Sequence, residues 1–300
     1  MSYTTTEILA KIKLWGAIPN AQPAFTDTQL LDLATSEMWT KTVPFINNLR
    51  EEYFVASTDS TISTAKNQTF DIPSRAAGGI LRDVKLVNAN GDESDIPRLN
   101  PEYSQRYGWG FYIQANKLHL VKSENYSGET FRMYYYVRPS VLVATSRCAQ
   151  VATVGSSSFT VTSVPSNITT GDTVDIVQAN PPFNTLSLDV TATISATTTI
   201  TPSTMPTGLA VGDWMCLKQE SCMPQLPLEA HDMLVCGTVL RVQEILQDDK
   251  GIKTYTNKYE VLSKTVTDIL NPRVVGEIKK IVNHESFLYQ GTSNNNDWWW

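Results

Sequence analysis

This chain has no dense run of positive charge. Lys and Arg number 24 against 30 Asp and Glu, the formal net charge is −6, and charged residues are only 18% of 300 positions. Duplex nucleic acid is held by clustered Lys and Arg on phosphates. The densest basic stretch here, Lys279-Lys280, is short and follows Glu277. General electrostatic wrapping of DNA or RNA is therefore not expected. No apolar run approaches the ~20 residues that span a bilayer. Met1-Ser-Tyr-Thr-Thr-Thr is polar and lacks the basic flank and apolar core of an export signal. The expectation is a protein made and assembled in a cytoplasm, with no membrane partner. The four cysteines, Cys148, Cys216, Cys222 and Cys236, include no C-x-x-C pair. A structural zinc site is not expected on that spacing, and free buried thiols are.

Catalytic signatures are missing too. There is no G-x-x-x-x-G-K-[ST], no G-x-G-x-x-G, no H-E-x-x-H and no G-x-S-x-G. Arg75-Ala-Ala-Gly-Gly79 is too short to cradle phosphate. The three histidines, His119, His231 and His284, lie far apart. His231-Asp232 could be a base with an orienting carboxylate. At a helix start, however, the aspartate complements the dipole and the histidine packs or caps. Catalytic, cofactor-binding and metal-binding residues are all expected to be none, and the chain is not expected to be an enzyme.

What is present is pattern. Thr4-Thr-Thr-Glu7 and Thr26-Asp-Thr-Gln29 read as capping boxes, a hydroxyl at the N-cap with Glu or Gln three residues on. Ile8, Ile12 and Trp15 follow the first at helical spacing, and Leu30, Leu31, Ala34 and Met38 the second. Pro44 interrupts, because it lacks an N–H and crowds the preceding turn, and Phe45, Leu49 and Tyr53 resume the stripe, so the first 55 or so residues are expected to be two or three helices. After Lys66 the period becomes two. Val84 and Leu86 precede a turn at Asn88–Gly91, Phe111–Ile113 and Leu118–Leu120 flank Gln114–Asn116, and Phe131, Met133, Tyr135 and Val137 alternate with polar and aromatic neighbours. These are antiparallel hairpin strands whose aromatic residues serve packing. Pro224–Asn271 reads as a helix hairpin: one stripe through His231, Val235, Thr238, Val242 and Ile245, a break at Asp248–Gly251, and a second stripe ending at Asn271-Pro272.

Residues 141–222 are almost free of Lys, Arg and Glu and rich in Thr, Ser and Val. They repeat. Phe159-Thr-Val-Thr-Ser-Val-Pro165 aligns with Ile200-Thr-Pro-Ser-Thr-Met-Pro206, and Ile168–Ile176 with Leu209–Leu217, at a constant offset of 41 residues that also matches Gly171-Asp172 to Gly212-Asp213. Two copies of one strand–turn–strand unit cannot each bury a face alone, so they are expected to pack together as a small β-barrel or sandwich. Gly-Asp marks a turn needing positive φ or an Asx cap. Two aspartates are too few ligands for calcium. The expected class is α+β: a helical bundle, made of N-terminal helices and a C-terminal helix hairpin, with an antiparallel β-sheet and an inserted β-barrel or sandwich. The expected domains are 1–140 with 223–272 as a core, 141–222 as the inserted duplicated unit, and 273–300 as an extension.

In the extension, the linker-like Gly291–Asp297 leads to Trp298-Trp299-Trp300. Three indoles in a polar tail are expected to be anchors buried against a partner, with folding back on the chain as the other reading.

The order of signatures then resembles a known family. Helices come first, then Ile72-Pro73 before Val84-Lys-Leu86. Phe111-Tyr-Ile-Gln-Ala-Asn-Lys-Leu-His-Leu-Val121 follows, then Gly128-Glu-Thr-Phe-Arg-Met-Tyr-Tyr-Tyr-Val-Arg-Pro139. Leu226-Pro-Leu-Glu-Ala-His231 opens the last helices, with Pro272-Arg273 after them. Over roughly residues 1–140 and 223–275 this resembles the head-to-tail adaptor (connector, or head-completion) proteins of tailed bacteriophages. In that family the Tyr-Tyr-Val-Arg-Pro strand joins the Pro-x-x-Pro helix start almost directly, whereas here 141–222 intervene. The resemblance implies a structural virion protein at the head–tail junction, assembled in the host cytoplasm. It would form a homo-oligomeric, dodecameric ring that binds the portal protein and a downstream tail or nozzle protein, with genomic DNA passing through the lumen without sequence-specific binding. The residues it places at a partner interface are Arg273, Phe287, Tyr289, Trp298, Trp299 and Trp300. The alternative reading is a tail-associated receptor- or carbohydrate-binding module.

Overall fold

The computed structural model describes residues 3–18, 25–103, 108–195 and 197–271. Helix α1, Thr5–Trp15, opens on a reciprocal box in which Thr4 N donates to Glu7 Oε2 at 2.9 Å. Helix α2, Asp27–Glu37, opens on the second box, Thr26 N donating to Gln29 Oε1 at 2.8 Å and Gln29 N to Thr26 Oγ1 at 3.3 Å. Pro44 does not end the helical run. Met38–Thr42 forms a π-helical turn, and α3, Val43–Leu49, continues with Pro44 at its second residue. Val43 N reaches back to Met38 O; the wider turn gives the proline ring space and absorbs its missing donor.

Seven strands follow: β1 Val55–Thr61, β2 Asn67–Asp71, β3 Ala76–Val87, β4 Glu93–Asp95, β5 Gly110–Gln114, β6 Lys117–Val121 and β7 Thr130–Val137. They make two antiparallel sheets, ordered β1-β7-β3-β4 and β2-β6-β5. A shared core joins them, with Val84, Leu86, Phe111, Leu118, Leu120, Phe131 and Met133 buried together. Along β7 the pleat turns Phe131, Met133 and Tyr135 inward and leaves Arg132, Tyr134 and Tyr136 half-buried on the other face.

The chain next enters β8, Val141–Leu142, and then six strands: β9 Ala149–Val154, β10 Phe159–Val161, β11 Thr173–Val177, β12 Thr185–Ser195, β13 Thr199–Pro202 and β14 Trp214–Leu217. These six close into a barrel in the order β10-β13-β12-β11-β14-β9. The sequence repeat is its symmetry. Phe159 pairs with Ile200 and Asp175 with Cys216, each opposite its own counterpart, and Val174–Leu217 and Ile176–Met215 are the exchanged pairs around the second point. Gly171 N donates to Ala192 O and Gly212 N to Val151 O, both at 2.9 Å. The two glycines have φ of 95° and 100°, a region that an L side chain resists. The repeat also extends further back than its sequence signal: Val151 opposes Val161 as Ala192 opposes Pro202, so β9 and β12 are the first strands of the two copies. Each copy contributes three strands, and neither could close without the other.

The exit strand β15, Glu220–Ser221, lies parallel to β8, so both connections of the barrel run side by side. Helices α4, His231–Leu246, and α5, Asp249–Leu270, follow.

The expected class, a helical bundle of N-terminal helices plus a C-terminal hairpin carrying a sheet and an insert, is overturned. Among the described residues 15 strands stand against five α-helices, so the molecule is mainly β. Nor do the helices divide into an N-terminal bundle and a separate hairpin. Ile8 and Ile12 of α1, Leu30 and Ala34 of α2 and Met233, Val235, Val239 and Val242 of α4 share one core. The physical reason is that α4 is buried on nearly every side up to Gln243, with Cys236 and Gln243 off the expected stripe buried as well, and only its last turn, with Ile245, is exposed. A helix without a solvent face needs neighbours on several sides, and the start of the chain supplies them. Periodicity showed that each helix has an apolar face without showing what covers it.

Candidate functional site

The barrel meets the rest of the molecule at a neck formed by β8, β15 and the segments beside them, where a group of buried thiols and a buried ion pair lie. Cys148 follows the single turn Thr145–Arg147, Cys216 lies on β14, and Cys222 comes directly after β15. Their three sulfurs lie within 4.8 Å of one another, and all three residues are buried. Val143, Val177, Phe183 and Met223 pack around them. Hydrogen bonds from Cys216 and Cys222 hold the Cys148 thiol below the usual thiol range, while burial pushes Cys216 and Cys222 up. Cys236 stands apart on α4, where its Sγ donates to Tyr255 O at 3.6 Å and burial pushes it up to about 11. Spacing along the chain gave no sign of this triad, since its members come from three segments that only barrel closure brings together.

Beside the triad, a cation from the sheets reaches into the barrel wall. Arg75, just before β3, is 4% exposed and Asp175 on β11 is 0% exposed. Asp175 Oδ2 accepts from Arg75 Nη2 and, at 2.7 Å, from Gln219 N; its Oδ1 accepts from Asp189 N at 3.0 Å. Arg75 also donates to Ser140 Oγ at 3.3 Å and lies 3.4 Å from Asp189. The Arg75 bond fixes the sheet side against the barrel, and the bonds from Gln219 N and Asp189 N hold Asp175 within it.

His231 sits at the start of α4 against Tyr3 and Phe183, with ring centroids 5.2 Å away in each case. Burial pushes it down to about 4. Its neighbour Asp232 pairs with Lys11 at 2.7 Å rather than with the imidazole. The pair weighed as base and orienter is therefore split between core packing and a helix–helix ion pair. Asp172 and Asp213 act as turn caps, accepting from Thr169 N at 2.7 Å and from Ala210 N at 2.8 Å. The strand aromatics are likewise used internally: Tyr134 donates to Glu93 and Tyr136 to Glu51, and Tyr112 stacks on His119 at 4.8 Å.

The outer surface offers one further feature. Of the 22 residues of α5, only Val266 and Leu270 are buried, and Val261 and Ile269 are 65% and 54% exposed. The expected interface residues Arg273, Phe287, Tyr289, Trp298, Trp299 and Trp300 lie outside the described residues. No helix among the described residues is long and apolar enough to cross a membrane. No protein-family model matches the chain, and no curated protein is significantly similar to it.

Proposed function

We propose that this chain is a structural virion subunit, one of a ring of copies that joins a phage portal to the tail and continues the DNA channel. Supporting this reading is the order of signatures shared with the head-to-tail adaptors. The structural observation that carries it is α5, a helix about 33 Å long by its rise that leaves Val261 and Ile269 in solvent. A closed ring requires each subunit to give one face and receive another, and a long, largely uncovered helix with apolar side chains is suited to such a contact. The neck fits the same role, because a joint under load must keep its peripheral domain at a fixed angle. The negative net charge favours passage of DNA over retention.

The test is the mass of the purified chain by light scattering, with axial views in the electron microscope. Closed rings of uniform subunit count are expected, alone or on addition of portal particles. A chain that stays monomeric with and without portals would sink the proposal. Removing Trp298–Trp300 tests the anchor reading: anchor truncations cost about 2 kcal/mol or more each, so portal binding should weaken by orders of magnitude, and unchanged binding would refute that part.

A further inference from the structure

We infer that Cys148, Cys216 and Cys222 form a binding site for one soft, closed-shell metal cation, Zn²⁺ or Cu⁺, held by three thiolates at the neck of the barrel. The inference stands independently of the ring reading. Three sulfurs bonded to one ion at ~2.3 Å would lie about 4 Å apart in a trigonal arrangement. The sulfurs here already fall within 4.8 Å, so small side-chain rotations close the remaining gap. The donor set is sulfur alone: among the described residues no His, Asp or Glu joins the cluster. Sulfur donors of this kind select thiophilic ions over Mg²⁺, Ca²⁺ or Mn²⁺. The wall of Val143, Val177, Phe183 and Met223 keeps the site apolar.

Binding balances simply. Three S–H bonds break, three sulfur–metal bonds form, and three protons leave to solvent. Zn²⁺ on three thiolates leaves a net charge of −1 and Cu⁺ leaves −2. The charged groups beside the triad include Arg147, adjacent to Cys148, Glu220, whose Oε1 lies 2.6 Å from Arg147, and the buried Asp175–Arg75 pair, Asp175 standing opposite Cys216. Cys148 lies on the segment leading into the barrel, Cys216 on its last strand and Cys222 on the segment leading out. One ion would therefore clasp both connections and the barrel wall at a single point, where β8 and β15 otherwise share only a two-residue parallel pairing.

The experiment uses the full chain, reduced and stripped of metal, titrated without oxygen with Zn²⁺ in one arm and Cu⁺ in the other. Native mass spectrometry reads stoichiometry, and X-ray absorption on the loaded wild-type protein reads the ligand shell. One ion per chain is expected in at least one arm, with three sulfur neighbours. Cys216→Ser should lose the ion and Cys236→Ser should keep it. No retained ion in either arm, fewer than three sulfur neighbours, or full retention by Cys216→Ser would each overturn the assignment. Should Cys216→Ser fail to fold, the absorption measurement on wild-type protein still decides.

Discussion

Buried polar groups carry the sharpest consequences at the residue scale. Arg75 and Asp175 are out of solvent together, and their bonds join the sheets to the barrel. Such a pair adds little net stability as a pair, yet losing one member strands the other charge at a cost of about 3–5 kcal/mol. Arg75→Ala should lower the free energy of unfolding by that amount, measured by urea denaturation; a loss under about 1 kcal/mol would show that solvent reaches Asp175. His231 makes a pH prediction. Its folded value, about 4, lies below the ordinary 6.5, so the unfolded chain takes up the proton first as pH falls. The stability of keeping it neutral is complete above about 6.5 and disappears progressively down to about 4. At about 1.4 kcal/mol per pH unit, the full loss is roughly 3 kcal/mol. Denaturation of wild type and His231→Leu across that window checks it, since the variant should lack this component of the acid sensitivity.

Single elements show where a local preference and its surroundings conflict. Gly237 lies inside α4, where alanine would ordinarily gain up to about 1 kcal/mol. A Cβ there would stand 2.4 Å from Glu37 Oε1 and 2.8 Å from Glu37 Cδ. Glu37 is fully buried, bonded to Arg241 and 3.5 Å from Lys41 Nζ, so moving it aside would break that buried ion pair. Gly237→Ala should therefore destabilise by about 1–3 kcal/mol, read from the thermal midpoint; stabilisation would mean that α2 and α4 separate easily. The duplicated turns make a paired comparison. Asp172 and Asp213 cap equivalent turns, but Asp213 is buried and its Oδ1 also accepts from Ala179 N at 3.0 Å. Asp213→Ala should cost about 1–3 kcal/mol and Asp172→Ala less; equal costs would imply that the second bond contributes nothing.

Assembly belongs to the whole molecule. If α5 packs on a neighbouring copy, Val261→Asp places an unpaired charge in that contact and should move the chain toward monomer by tenfold or more in association constant, about 1.4 kcal/mol, while leaving its folded spectrum intact. Sedimentation velocity measures this, and an unchanged distribution would remove α5 from the interface. The same long-range view explains why the helical framework was misjudged. A stripe of apolar residues in α4 reads alike whether its cover is α5 or α1 and α2, and α1 and α2 lie more than 190 residues upstream.

The sequence by itself determined what depends on neighbours along the chain. Thr4–Glu7 and Thr26–Gln29 set two helix starts, alternation set β7, and the offset between Gly171-Asp172 and Gly212-Asp213 marked a duplicated unit. Each of these is a local hydrogen bond, pleat or backbone angle that a few residues dictate. Tertiary structure alone decided that β9 and β12 belong to the repeat, that α4 is a central helix, that Pro44 sits within a continuing helix, and that Cys148, Cys216 and Cys222 meet. Those outcomes depend on which surfaces close on which, and burial free energy is blind to sequence distance: it rewards apolar area removed from water, whatever segments supply it.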